Sequence, residues 1–184
     1  MEDEVDVSSQ ADHRASRSAP FTNLPPAPTT PVASVIDPRI QGLPVVPEDR
    51  PWIPTFYGEQ KYIRLSLATG EWVLFARIKP GQQVPYHKHH GGLNLYVLEG
   101  ELNFVDEDWV AGPGTYVFEP PGNTHVELSD KGVLMLAWSQ GPLEFLNPDN
   151  TPVEVRDCVA WKAEIEQYHA EQELPMPPPP GYFF

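Results

Sequence analysis

Three histidines in this chain of 184 residues have the type and spacing to hold a metal ion. His87 and His89 are two apart in an extended segment, and the period of two in a strand puts both imidazoles on one face. Lys88 between them and His90 after them then point the other way. His125 follows the turn Pro120-Pro121-Gly122-Asn123, and a strand starting there brings its ring opposite the first two. Neutral imidazole suits iron, zinc, copper or nickel, and three of them leave coordination positions open for a substrate or dioxygen. Spacing alone leaves the alternative open that these are unrelated packed or solvated side chains.

Strands have to position those rings. Between Pro51 and Pro148 short runs of β-branched and aromatic residues alternate with Gly, Pro, Asn and Asp, the pattern of an all-β sandwich or barrel. Strands are expected at 62–67, 71–78, 93–98, 101–105, 115–118, 125–128, 133–139 and 142–146. Glu99-Gly100 is expected to close a tight hairpin, with further turns at Asp106-Glu107-Asp108 and Asp130-Lys131-Gly132, and such a set fits a jelly roll. From Val155 the period changes: Val155, Cys158, Trp161, Ile165 and Tyr168 recur at three- and four-residue steps, which predicts one helix over 155–174, stopped at Leu174-Pro175.

The ends have a different composition. Of 23 prolines, eight fall in residues 1–50 and five in 175–180. The organisation expected is a disordered tail (1–31), an extended apolar arm (32–50), a barrel (51–148), a helical region (149–174) and a proline-rich tail (175–184). Twelve Lys and Arg against 26 Asp and Glu give a net charge of −14, which removes the electrostatic basis for a nucleic-acid partner. A single cysteine, Cys158, excludes an internal disulfide and a multi-cysteine zinc site. No run approaches 18 apolar residues, and the start Met1-Glu2-Asp3-Glu4 lacks the parts of a secretory signal, so a cytoplasmic protein without membrane contact is expected.

The segment Gly81-Gln-Gln-Val-Pro-Tyr-His87-Lys-His89-His-Gly-Gly-Leu93-Asn-Leu-Tyr-Val-Leu-Glu-Gly100 resembles the first cupin motif, G-x5-H-x-H-x3-E-x6-G, at every position except the glutamate, which is Leu93. Gly114-Thr-Tyr-Val-Phe-Glu-Pro120-Pro-Gly122-Asn-Thr-His125-Val-Glu-Leu-Ser129 resembles the second, G-x5-P-x-G-x2-H-x3-N, with serine in the last place. The resemblance implies a double-stranded β-helix, the cupin jelly-roll barrel, with a metal bound inside its mouth by His87, His89 and His125. Leu93 in place of a carboxylate implies three neutral ligands, an undiminished 2+ charge and a preference for an anionic chelating substrate.

Residues 45–174 are similar in particular to the 2,4'-dihydroxyacetophenone dioxygenase group, related to acetylacetone-cleaving and ChrR-like cupins. That implies an Fe(II) dioxygenase, with zinc or another divalent metal as the alternative cofactor. Its partners would be a small hydroxyketone or diketone and O2, split into carboxylic acids, and the protein would be a homodimer or homotetramer. The alternatives are a cupin tailoring enzyme of secondary metabolism (isomerase, cyclase or oxidoreductase) and a non-catalytic cupin that senses a metal or small molecule.

Around the three ligands, Glu127, Tyr96, Leu93 and Arg77 are candidates for the second shell or the pocket wall. Glu127 shares the face of His125 if the strand continues, although a solvated rim carboxylate is the plainer expectation, and for Arg77 so is a surface salt bridge. Glu119 is expected to be structural or exposed, Asp106 to Asp108 solvated, and His169 exposed.

Overall fold

The computed structural model describes residues 45–177 and 181–183. Twelve strands follow a short 3-10 turn: β1 (Ile53–Thr55), β2 (Gly58–Leu65), β3 (Glu71–Ile78), β4 (Gln82–His89), β5 (Leu93–Gly100) and β6 (Leu102–Phe104). Then come β7 (Val110–Ala111), β8 (Tyr116–Glu119), β9 (Thr124–Ser129), β10 (Val133–Gln140), β11 (Leu143–Leu146), β12 (Pro152–Arg156) and helix α1 (Cys158–Glu171). They form two six-stranded sheets, ordered β1-β2-β3-β10-β5-β8 and β12-β11-β4-β9-β6-β7. All strand pairs are antiparallel. This is the all-β, two-sheet barrel with a C-terminal helix that the motifs imply.

Alternation along the strands builds the interior. In β3 Trp72, Leu74, Ala76 and Ile78 are buried, in β5 Leu93, Leu95 and Val97, and in β10 Val133, Met135 and Ala137. At roughly 1.5–3 kcal/mol for each fully buried large apolar side chain, these faces hold the two sheets together. Among the described residues no helix is long and apolar enough to cross a membrane.

Three expectations need correction. Glu99-Gly100 closes no hairpin, because β5 pairs with β10 and β8 whereas β6 pairs with β7 and β9 in the other sheet. Gly100 turns a corner between sheets at φ +76, with a hypothetical Cβ 1.9 Å from the Gly132 carbonyl oxygen, so a residue without a side chain is required. The helix begins at Cys158, not Val155, since residues 152–156 hydrogen-bond to β11 as a strand. Asp157 sets that start by accepting hydrogen bonds from the Val159 and Ala160 amides at 2.9 Å. Cys158, Trp161, Ile165 and His169 form the buried face of α1, and the Trp161 ring meets Trp72 edge-on at 5.3 Å, so the helix closes on the barrel.

The third correction concerns the C-terminal end. Tyr182, placed in a disordered tail by composition, is buried, and its hydroxyl lies 2.9 Å from Nε2 of His169, which is buried with it rather than exposed. A large ring stacked under Arg50 at 4.3 Å gains more from burial than the proline composition around it suggests. The expected tail 1–31, residues 32–44 of the arm and the prolines at 178–180 lie outside the described residues.

Candidate metal centre

His87 and His89 project inward from β4, and His125 projects inward from β9, its neighbour in the sheet. His87 lies directly opposite His125 across the ladder, and the His87 ring is 4.5 Å from that of His125 and 5.1 Å from that of His89. One ligand atom from each of the three comes within 4.8 Å of the others.

A bulge sets this geometry. Val84 pairs with Glu127 and His87 with His125, so three residues of β4 span what two span on β9. The extra residue falls at Pro85-Tyr86, which lets Val84 and His87, an odd number of positions apart, both face inward. Pro85, without an N–H, suits a place where the ladder is interrupted. Its carbonyl accepts a hydrogen bond of 2.7 Å from Nδ1 of His87, which fixes the ring and leaves Nε2 with its lone pair free.

Two carboxylates complete the cluster. Glu119 at the end of β8 places Oε2 3.2 Å from Nε2 of His125 and 3.7 Å from Nε2 of His89, without alignment for a hydrogen bond. Glu127, two residues past His125 on β9, is buried on the same face, and ligand atoms of Glu119, His125 and Glu127 also lie within 4.8 Å of one another. Neither carboxylate is a solvated rim group. Glu119 was passed over in the sequence because it stands before a Pro-Pro turn, yet Val117 two positions earlier is an inward apolar residue, and the period of two carries position 119 to the same side. The motif position at 93 is apolar, and Glu119 is its cross-strand partner.

Burial shapes the charge states. It holds His87 down to about 4 and His125 to about 3, the latter with help from its neighbour His87, so all three rings stay neutral and able to bind metal. Burial pushes Glu119 and Glu127 up, and for Glu119 the charge of Glu127 adds to the rise. Both nitrogens of His89, Nε2 of His125, both oxygens of Glu119 and Oε1 of Glu127 are buried with no hydrogen-bond partner among the described residues. Unpaired buried polar atoms are costly, and a divalent cation at their centre would satisfy them together. The donor set of imidazoles and carboxylates fits a first-row transition metal.

A cavity of about 50 Å³ lies beside the histidines, walled by Trp72, Leu74, Leu93, Leu95 and Met135 and by the phenol of Tyr57. Tyr57 accepts a 2.8 Å hydrogen bond from Gln60, which meets Tyr62 at 2.7 Å, and Tyr62 meets Glu164, the partner of Arg156. Sequence reasoning missed Tyr57 and Gln60, for they precede the motifs and reach the cavity only through the β2–β3 pairing.

Of the pocket candidates, Leu93 lines this cavity. Tyr96 does not reach it: one residue out of phase with Leu93 and Leu95, it stands on the outer face of β5, 40% exposed. Arg77 is also among the residues that line this cavity, with its guanidinium paired to Glu59 at 3.1 Å and stacked on Trp52 at 4.0 Å. His90 also leaves the site, with Nε2 2.9 Å from Glu144.

Residues 41–144 match the family model described as a ChrR cupin-like domain. Among solved structures, an RmlC-like cupin protein from Ralstonia eutropha JMP134 superposes with a TM-score of 0.70 at 21% identity, over 74% of this chain and 92% of that one. An acetylacetone dioxygenase from Acinetobacter johnsonii superposes at 0.60 with 15% identity, covering 69% and 91%. A putative acetylacetone dioxygenase from Methylibium petroleiphilum PM1 does so at 0.62 with 18% identity, covering 70% and 96%. At these identities the likeness establishes the fold. No curated protein matches the chain in sequence.

Proposed function

This chain belongs to the ChrR cupin-like domain family, and from that premise we propose that it is an Fe(II)-dependent dioxygenase cleaving a C–C bond of a hydroxyketone or diketone with O2 to give carboxylic acids. The observation that carries the reading is the convergence of His87, His89 and His125 in a buried pocket, with buried donor atoms that have no other partner. The fold shared with two proteins named as acetylacetone dioxygenases supports the same chemistry.

Iron bound there would supply Lewis acidity toward the substrate oxygens and electrons toward O2. The chain does the rest. Pro85 holds the His87 ring through Nδ1, so that Nε2 faces the pocket. Glu127, buried two residues past His125 and lining the cavity outside the three-histidine group, would take up the proton that the substrate loses on becoming an enolate. Trp72, Leu74, Leu93 and Leu95 keep water from that proton and from the reacting carbon. The Tyr57 phenol, fixed by Gln60, is placed to hydrogen-bond a substrate oxygen.

The test is metal content together with oxygen consumption by protein purified without air and reloaded with Fe(II) or Zn(II), assayed with acetylacetone and with 2,4'-dihydroxyacetophenone. Ketone-dependent uptake by the iron form, absent in the zinc form, is the expected result. Stoichiometric zinc from cells and no uptake with iron would instead leave a sensing or isomerising cupin.

A further inference from the structure

The cavity walled by Tyr57 and Trp72 is too small, at about 50 Å³, to hold a whole aromatic molecule, so a substrate that turns its oxygens toward the histidines and Tyr57 must seat its ring on another side. A second cavity, of about 310 Å³, ends on His125 and Glu119. It occupies the seam where the barrel is open, between edge strand β8 of one sheet and the β6–β7 edge of the other. A ladder of rings runs inward along it. Trp109, 40% exposed, lies 4.8 Å from Phe104, and Phe104 lies 5.1 Å edge-on to the His125 ring. Val117 and the backbone side of β8 form the opposite wall, while the Phe118 side chain stands on the outer face of that strand.

Its charge has one sign. Asp106 and Glu107 stand exposed in the lining, no Lys or Arg is among the lining residues, and Glu119 closes the inner end beside His125 with neither side-chain oxygen hydrogen-bonded among the described residues. Ring faces and carboxylates together recognise organic cations, because the negative face of a π-system and a carboxylate both attract positive charge while repelling an anion. We propose that this vestibule binds an aromatic compound carrying a quaternary or protonated amine, with its ring against Trp109 and Phe104 and its cation toward Asp106 and Glu107. This proposal names the substrate class for the dioxygenase read above and rests on that reading for the chemistry a bound metal would supply: an amine-bearing aryl ketone, whose positive charge would offset the negative charge the ketone gains on losing a proton. It replaces the freely anionic substrate expected from the apolar residue at position 93.

The experiment measures binding to the full-length protein, metal-free and zinc-loaded, with three probes that ligate metals weakly: benzyltrimethylammonium, benzyl alcohol and benzenesulfonate. The cation should bind at least about tenfold tighter than the sulfonate, with the alcohol between them. Asp106→Asn combined with Glu107→Gln should weaken the cation by about three- to tenfold and leave the alcohol within about twofold. Trp109→Ala should weaken both. A sulfonate that binds as well as the cation, a cation insensitive to the two carboxylate changes, or no cation binding at millimolar concentration overturns the proposal. None of these measurements needs iron or O2. Cation binding without O2 uptake by the iron form, when the ketone assayed is an aryl hydroxyketone bearing a trimethylammonium group, would therefore remove the dioxygenase reading and leave the vestibule, and uptake without cation binding would do the reverse.

Discussion

Glu119 lies directly across the β5–β8 ladder from Leu93. Both side chains face the interior, so the carboxylate that position 93 lacks stands one strand away, with Oε2 3.2 Å from Nε2 of His125. The site keeps an acidic side chain beside its imidazoles although the usual motif position is apolar.

That relationship can be exchanged. Glu119→Leu should weaken metal binding by about 10–100-fold, the range for losing a group that supports a metal centre. Leu93→Glu alone puts a third carboxyl beside Glu119 and Glu127 and should lower the melting temperature of the metal-free protein. The double variant Leu93→Glu/Glu119→Leu returns one carboxylate to the opposite strand and should recover most of the lost affinity, measured by competition with a chromogenic chelator. If the double variant binds metal no better than Glu119→Leu, the two positions are not equivalent.

Replacing His87, His89 or His125 by Ala should each abolish stoichiometric metal binding and any ketone-dependent oxygen uptake. His90→Ala should leave both intact, because its ring is engaged with Glu144 outside the cluster. Elemental analysis of the four purified variants gives the answer, and full metal content in the His89→Ala protein would remove His89 from the ligand set.

Stability of the metal-free protein should pass through a maximum near neutral pH. The folded His87 is held down to about 4 from 6.5, so the unfolded chain takes up its proton first. The contribution of the neutral ring is present above 6.5 and is lost as the pH falls toward 4. Glu119 and Glu127 act in the opposite sense: raised above 4.5 in the fold, they contribute stability below 4.5 that is lost as the pH rises through their folded values. Each group changes the slope by at most about 1.4 kcal/mol per pH unit. Denaturant titrations of chelator-treated protein should show both limbs, with the alkaline limb shallower in Glu119→Gln. An alkaline limb of unchanged slope would mean that Glu119 is already ionised in the fold.

Two glycines share φ +76 and differ in what surrounds them. Gly100→Ala drives a Cβ against the Gly132 carbonyl oxygen, whereas Gly81→Ala meets nothing within 4 Å. Gly81→Ala should cost only the left-handed penalty of about 1–2 kcal/mol. Gly100→Ala should cost clearly more, enough to misdirect β5 into β6. Equal melting temperatures for the two would show that the corner yields.

The three histidines that meet in the barrel were legible because their determinants are local: two at a period of two, a turn followed by a third, and glycines at fixed offsets. Strand β3 was legible to the residue, since Glu71–Ile78 alternates without interruption. The candidate β-strand ending at Val105 and the hairpin at Gly100 were less so, because a glycine turn between two β-patterned runs looks the same whether the strands pair with each other or leave for different sheets.

By itself, then, the sequence determined the all-β class, the inward phase of His89 and His125, and the net acidic charge. Tertiary structure decided which other groups join them. The bulge at Pro85-Tyr86 rephased His87 against Val84, the β5–β8 register set Glu119 against Leu93, and the open seam brought Trp109 and Phe104 to His125. Alternation within one strand follows from backbone geometry and can be read residue by residue. Register, bulges and sheet edges depend on hydrogen-bond partners that are distant in the chain, and those exist only once the sheets have formed.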